Sequence, residues 1–116
     1  MKVYRLECAD GKGPYHTDDM QIARFARKQF STISHTVVWD DCRGFDSRYK
    51  CAFISRKALR RWFKGGIEKF LKMGVDLVEY EVPSKYVLLG MKQVAYREDM
   101  ATERRVIRKG RKGKAS

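Results

Sequence analysis

Ala52-Phe53-Ile54-Ser55-Arg56-Lys57-Ala58-Leu59-Arg60-Arg61-Trp62-Phe63-Lys64-Gly65-Gly66-Ile67-Glu68-Lys69-Phe70-Leu71-Lys72-Met73-Gly74 reads as the end of a strand, a cap, one amphipathic helix and a glycine stop. Leu59, Trp62, Phe63, Ile67, Phe70 and Leu71 recur at helical spacing and form a single apolar stripe. Arg56, Lys57, Arg60, Arg61, Lys64 and Lys72 crowd the other side. Ser55 is a natural N-cap, and Gly74 suits the C-terminal position that takes positive φ. Gly65-Gly66 lies inside the stretch at a cost of about 1 kcal/mol per glycine relative to alanine. A kink, or a close approach of another backbone, is expected there.

On the N-terminal side, Lys2 to Cys8 alternates with the period of a half-buried strand. Tyr4, Leu6 and Cys8 should face the core. Arg5 and Glu7 share the opposite face, two residues apart, and can pair. Ala9 to His16 is a loop by its Gly and Pro content, and Gly11-Lys12-Gly13 reads as a turn. Thr17 or Asp18 can cap a helix to about Phe30, with Asp18 and Asp19 suiting its positive end. Ser31 to Ser47 has no clear period and holds Val37, Val38 and Trp39. Tyr49 to Ile54 is a short strand leading into the long helix.

On the C-terminal side, Val75 to Val82 is a strand ended by Pro83. Tyr86 to Leu89 is extended, and Met91 to Tyr96 is a last strand. Asp99 can cap a short helix containing Met100, Ala101, Val106 and Ile107. From Arg104 onward the chain carries seven basic side chains and no acidic one, as expected of a flexible tail. The fold expected is α+β, a curved and mostly antiparallel sheet packed by two helices. One domain should span residues 1–103, with a basic tail at 104–116.

The chain has 116 residues, enough for one core and too few for two. A hydrophobic content of 43%, with two Trp, six Phe and six Tyr, argues for a folded domain and against disorder. No apolar run reaches the roughly 18 residues of a membrane span, and Met1 leads directly into a strand with no signal peptide. Cys8, Cys42 and Cys51 are odd in number and lack C-x-x-C spacing, which favours buried thiols in a reducing cytosol. The net charge of +12 points to a polyanionic partner, DNA, RNA or a nucleoprotein.

Catalytic chemistry finds little footing. Cys42 has carboxylates beside it, which raise a thiol pKa and suppress the nucleophilic thiolate. Glu79 and Glu81 lie about 7 Å apart on one strand face, and the polar side of an edge strand accounts for them. His16, His35, Asp40, Asp41 and Cys42 match no metal-ligand spacing, so neither a metal nor a cofactor is expected. The basic helix face carries more. Arg56, Arg60 and Lys64 stand at i, i+4 and i+8 with Lys57 and Arg61 alongside, a row that can follow backbone phosphates. Only Glu68 relieves it, and like charges at i, i+4 repel by a few tenths of a kcal/mol. Arg104, Arg105, Arg108, Lys109, Arg111 and Lys112 are expected to support it from the tail. Trp39, Tyr49, Tyr86 and Tyr96 interleave with these charges; some can offer faces on which unpaired bases stack, and most are expected in the core of a domain this small.

Several short motifs carry a resemblance. Tyr4-Arg5-Leu6-Glu7 followed by Gly11-Lys12-Gly13-Pro14-Tyr15 is similar to the opening of small uncharacterised proteins of bacteriophages and prophages. So are Phe53-Ile54-Ser55 with Leu59 and Trp62-Phe63, then Tyr80-Glu81-Val82-Pro83, then Gly90 and Gln93-Val94. The resemblance covers roughly residues 3–96. It implies a phage accessory protein in the bacterial host cytosol, from a gene neighbourhood that includes host-takeover and anti-defence functions. A more distant similarity is to the ADP-ribosyltransferase fold, which would place Arg5 on dinucleotide phosphates and Ser55 in support of the pocket. Gln93 then stands where that fold has its catalytic glutamate.

The function expected is therefore a small basic protein that binds nucleic acid or a nucleoprotein complex and inhibits a bacterial defence system, in the manner of an anti-CRISPR. One alternative is an NAD- or nucleotide-using enzyme or pseudo-enzyme, with a pocket of Arg5, Tyr15, Ser55 and Gln93. Another is an inhibitor docking on an acidic host protein.

Overall fold

Residues 1–30 and 42–112 are described by the computed structural model. Expectations placed on His35, Val37, Val38, Trp39, Asp40, Asp41 and on 113–116 lie outside these residues. The elements run β1 (Lys2–Glu7), α1 (Met20–Gln29), β2 (Tyr49–Ala52), α2 (Arg56–Trp62), α3 (Ile67–Lys72), β3 (Asp76–Glu81), β4 (Val87–Leu89), β5 (Val94–Arg97) and β6 (Glu103–Arg108). The fold is α+β.

The expected curved sheet is divided in two. One sheet has the order β1-β3-β6 and the other β2-β5-β4, with every pairing antiparallel. They meet just past β2, where Tyr4 N–H donates to the Phe53 carbonyl (2.8 Å) and Phe53 N–H to the Tyr4 carbonyl (2.7 Å). One such bridge joins the sheets without extending the ladder, so the second sheet can fold over the first.

That arrangement buries both faces of β1. Leu6 and Cys8 join a core with Ile22, Ala26, Leu59, Trp62, Phe63 and Phe70 from the helices. On the opposite face Val3 packs with Val78, Tyr80, Val94 and Tyr96 between the two sheets. Arg5 and Glu7 share this inner face and are each only 6% exposed.

The long helix is two short ones at an angle. Gly65 takes φ +77°, which ends the first, and Gly66 opens α3. A Cβ on Gly66 would collide with the Phe30 ring, so the close neighbour is a side chain and not another backbone. The apolar stripe survives the break: Leu59, Trp62, Phe63, Ile67, Phe70 and Leu71 are all buried. Gly74 has the expected positive φ of 91°.

Three local expectations are corrected. Asp19, not Thr17 or Asp18, caps α1, its carboxylate accepting from Gln21 and Ile22 N–H (3.1 and 3.4 Å). The Asp18 N–H and Thr17 hydroxyl are instead held by Asp10. β3 is the central strand of its sheet and not an edge. Glu79 consequently lies between Lys2 and Arg105 (3.8 and 3.4 Å). Finally, no α-helix follows Asp99. A single 3-10 turn spans Glu98–Met100, and residues 103–108 then pair along β3. The free edge of β3 supplies a ladder of backbone partners that a short basic helix could not match.

Candidate nucleic-acid interface

α2 owes its orientation to four residues. Ser55 Oγ accepts from Ala58 N–H (3.0 Å), fixing the helix start. Leu59 and Trp62 are buried and Ala58 half-buried, which turns Arg56, Lys57, Arg60 and Arg61 to solvent. Lys64 follows in the turn, also exposed. Among the described residues no carboxylate pairs with any of these five cations. Glu68, the acid nearest in sequence, is bound to Arg108 instead (2.6 Å).

The C-terminal cations are arranged differently. Arg104 reaches Glu7 (2.7 Å), Arg105 reaches Glu79 (3.4 Å), and Arg108 reaches Glu68. Lys109 pairs with Asp76 (3.2 Å), and Lys112 lies 3.8 Å from Asp19. Gly110 N–H donates to Asp76 (2.8 Å) and Arg111 N–H to the Leu71 carbonyl (2.8 Å). A side chain at Gly110 would strike the Val75 carbonyl. The flexible tail expected from residue 104 is thus anchored through 112, and the boundary expected at 103/104 runs through β6. Of the six supporting cations, the Arg111 side chain alone makes no ion pair among the described residues.

Between the sheets lies a polar network that reasoning from sequence saw only in part. Arg5 Nη1 donates to the Tyr96 hydroxyl (3.0 Å), and Nε lies 3.8 Å from Glu7. The Tyr80 hydroxyl donates to Glu7 Oε2 (2.6 Å), and Arg104 donates to Oε1 through Nη2 and Nε (2.7 and 3.2 Å). Two guanidiniums therefore share one carboxylate. Burial, then the Glu7 carboxylate, pushes Tyr80 up to about 12. Burial also raises Tyr96 well above its ordinary value, so both phenols stay neutral. Burial alone would lower Arg5, but the Tyr96 and Glu7 oxygens outweigh it and hold the guanidinium charged. The spacing of Arg5 and Glu7 pointed to a pair. Tyr80, Tyr96 and Arg104 come to it only through strand register.

The network borders a cavity of about 670 Å³. It brings together Arg5, Tyr15 and Gln93, three of the four residues expected in a pocket, and leaves out Ser55, whose hydroxyl caps α2. Phe45, Tyr49, Phe53, Trp62 and Phe63 supply aromatic walls. Tyr15 is fixed at both ends of its hydroxyl, donating to the Phe30 carbonyl (2.6 Å) and accepting from Trp62 Nε1 (3.0 Å). Lys12, Arg27 and Lys50 add positive charge to the lining.

Nucleophilic and metal chemistry gain nothing from the geometry. Cys8 and Cys42 are buried, and Cys51 is exposed, against the expectation of buried thiols throughout. Burial pushes the Cys8 thiol up to about 11. Among the described residues no three His, Cys, Asp or Glu gather as a metal site. Of the aromatics interleaved with the charges, Tyr96 is fully buried in the core, as expected of most of them, while Tyr49 and Tyr86 are half-buried. No helix among the described residues is long and apolar enough to cross a membrane.

Comparison with curated proteins and with solved structures returns no match. The distant likeness to the ADP-ribosyltransferase fold finds no support there and goes no further. One protein family does match, over residues 1–109, and its description is Bacteriophage T4 Y00F protein. That span takes in every strand and helix, the basic face of α2 and the cavity; the chain belongs to this family of phage proteins.

Proposed function

We propose that this phage accessory protein binds nucleic acid, free or within a host nucleoprotein complex, through the outward face of α2. The observation that carries the reading is that Arg56, Lys57, Arg60, Arg61 and Lys64 have no carboxylate partner among the described residues, in a protein that pairs most of its C-terminal cations. Five unneutralised charges on one helix and its following turn repel one another. A phosphate backbone relieves that repulsion and releases its own counterions. Affinity of this kind carries little sequence preference, because phosphate contacts position a protein without reading bases. The family supports a role in the infected cell. Inhibition of a nucleic-acid-bearing defence complex in the bacterial cytosol, in the manner of an anti-CRISPR, is the form of that role we propose.

The test is fluorescence anisotropy with single-stranded DNA and RNA across a salt series. Changing Arg56, Arg60 and Lys64 together to glutamate should abolish binding at moderate salt and flatten the log–log salt slope by about 2. Unchanged affinity would sink the reading. Capture from nuclease-treated host lysate is the second arm. A partner retained by α2 after all nucleic acid is destroyed would replace nucleic acid with an acidic host protein.

A further inference from the structure

We infer that the cavity beside Arg5 binds one nucleotide unit, a planar base with an adjacent phosphate. The inference does not rest on the reading of α2.

The first argument is Arg5 itself. It is only 6% exposed, yet Nη1 alone makes a hydrogen bond, to the neutral Tyr96 hydroxyl. Nε is fully buried without a hydrogen-bond partner, and Nη2 has none either. Nη2 borders the cavity and can donate to a phosphate or carboxylate oxygen, whereas Nε is closed to a ligand there. Among the described residues the carboxylate at hand, Glu7, stands 3.8 Å from Nε and is already engaged by Tyr80 and Arg104. An unpartnered guanidinium nitrogen at the wall of a cavity gains a hydrogen bond when a ligand oxygen reaches it.

The second argument is what surrounds that nitrogen. A Cβ at Gly13 would lie 3.3 Å from Nη2, so the missing side chain keeps this corner of the cavity open. The walls are aromatic: Tyr15 stacks near-parallel on Phe63 (centroids 6.1 Å), and Phe53 tilts against Trp62 (5.5 Å). Flat apolar faces favour a planar ring, and every base offers one. Of the cations in the lining, Lys12 and Lys50 are paired with Asp18 and Glu98, and Arg27, held by the Tyr15 carbonyl, adds positive charge. A volume of about 670 Å³ falls within the range of small-ligand sites. Planar faces, an open guanidinium nitrogen and that volume fit a nucleotide better than a neutral apolar ligand.

A free nucleotide and the end nucleotide of a strand offer the same chemistry, and calorimetry can separate them. Titrations would use AMP, UMP, adenosine and a 5′-phosphorylated pentanucleotide, in roughly 0.5 M salt to screen the α2 face. A monophosphate should bind, with adenosine about tenfold weaker for want of the phosphate. Gly13→Val covers Nη2 without removing Arg5 and should weaken binding about tenfold while thermal stability holds. Arg5→Met should do the same if it folds. Binding of the pentanucleotide alone, with the same sensitivity to Gly13→Val, would assign the site to a strand end. No binding of any phosphorylated probe at millimolar concentration, or binding indifferent to Gly13→Val, would overturn the inference. Charge reversal at Arg56, Arg60 and Lys64 should leave AMP binding intact, so the two proposals fail separately.

Discussion

The two basic regions of this molecule look alike as sequence and differ as structure. α2 and the turn after it present five cations without a carboxylate partner among the described residues. Strand β6 and the residues after it present six, five of them within 4 Å of an acidic group. The difference follows from neighbours. β6 lies beside β3, which carries Asp76 and Glu79, and close to Glu7 and Glu68. α2 packs on Leu6, Phe53 and other apolar residues, so among the described residues its outer face meets no acidic group. A run of basic residues is thus a charge available for binding in one place and part of the scaffold in the other.

The sharpest test of that contrast is Glu7→Gln. Glu7 holds Arg104 and Tyr80 and balances Arg5, and its side chain is only 7% exposed. Removing the charge leaves a buried guanidinium without compensation, and loss of about 3–5 kcal/mol is expected in urea denaturation. Neutralising Arg56, Arg60 and Lys64 to glutamine should cost nothing and relieve a few tenths of a kcal/mol per repelling pair. Equal stability losses in the two variants would erase the distinction.

Binding should show the reverse order. The triple α2 neutralisation is expected to weaken single-stranded DNA or RNA about 100-fold at low salt, close to 2.7 kcal/mol. Neutralising Arg105 and Arg108 should weaken it only a few-fold, because those charges already face Glu79 and Glu68. Anisotropy titrations of both variants at matched ionic strength decide it. Similar losses would mean that net charge, and not its pairing, governs affinity.

Gly66→Ala separates the placement of α2 from its charge. The added methyl must displace the Phe30 ring, and overpacking of this kind costs about 1–3 kcal/mol. Denaturation should register it. Strand binding measured well below the melting transition should change little, since the outer face keeps all five cations.

Much of this was legible in the chain. The apolar stripe from Leu59 to Leu71 marked the core, and the charged side of the same helix marked the exposed face, because both follow from helical period. Gly65-Gly66 marked a disturbance without saying that Gly65 takes positive φ and breaks the helix. The C-terminal error has a physical source. A run such as Glu103-Arg104-Arg105-Val106-Ile107-Arg108 has no strong period of its own, and β3 recruits it through an edge that appears only once β1 and β3 have paired. Long-range register likewise brings Tyr80 and Arg104 to Glu7 across 73 and 97 residues, and Tyr96 to Arg5 across 91. Local pattern cannot report such contacts. The same limit applied to β1, whose alternation suggested one wet face until the second sheet covered it.

The smallest effect expected is on the pH dependence of the paired region. The Arg108 guanidinium holds the Glu68 carboxyl below its ordinary 4.5. A carboxyl depressed by folding contributes its full stabilisation above the unfolded value and loses it as pH falls through the folded value. The contact between α3 and β6 should therefore be intact from neutral pH down to the ordinary carboxyl value and weaken as pH falls below it. Because the pair is exposed, solvent screening keeps its contribution small. Carboxyl NMR titration should place Glu68 below the usual glutamate range in the wild type and return it there in Arg108→Gln. Strand binding by α2 should stay flat between pH 7 and 5, since its five cations have no carboxylate partner among the described residues to release. A Glu68 midpoint unchanged by Arg108→Gln would show that this pair does not hold in solution and would return Arg108 to the set of cations free to bind.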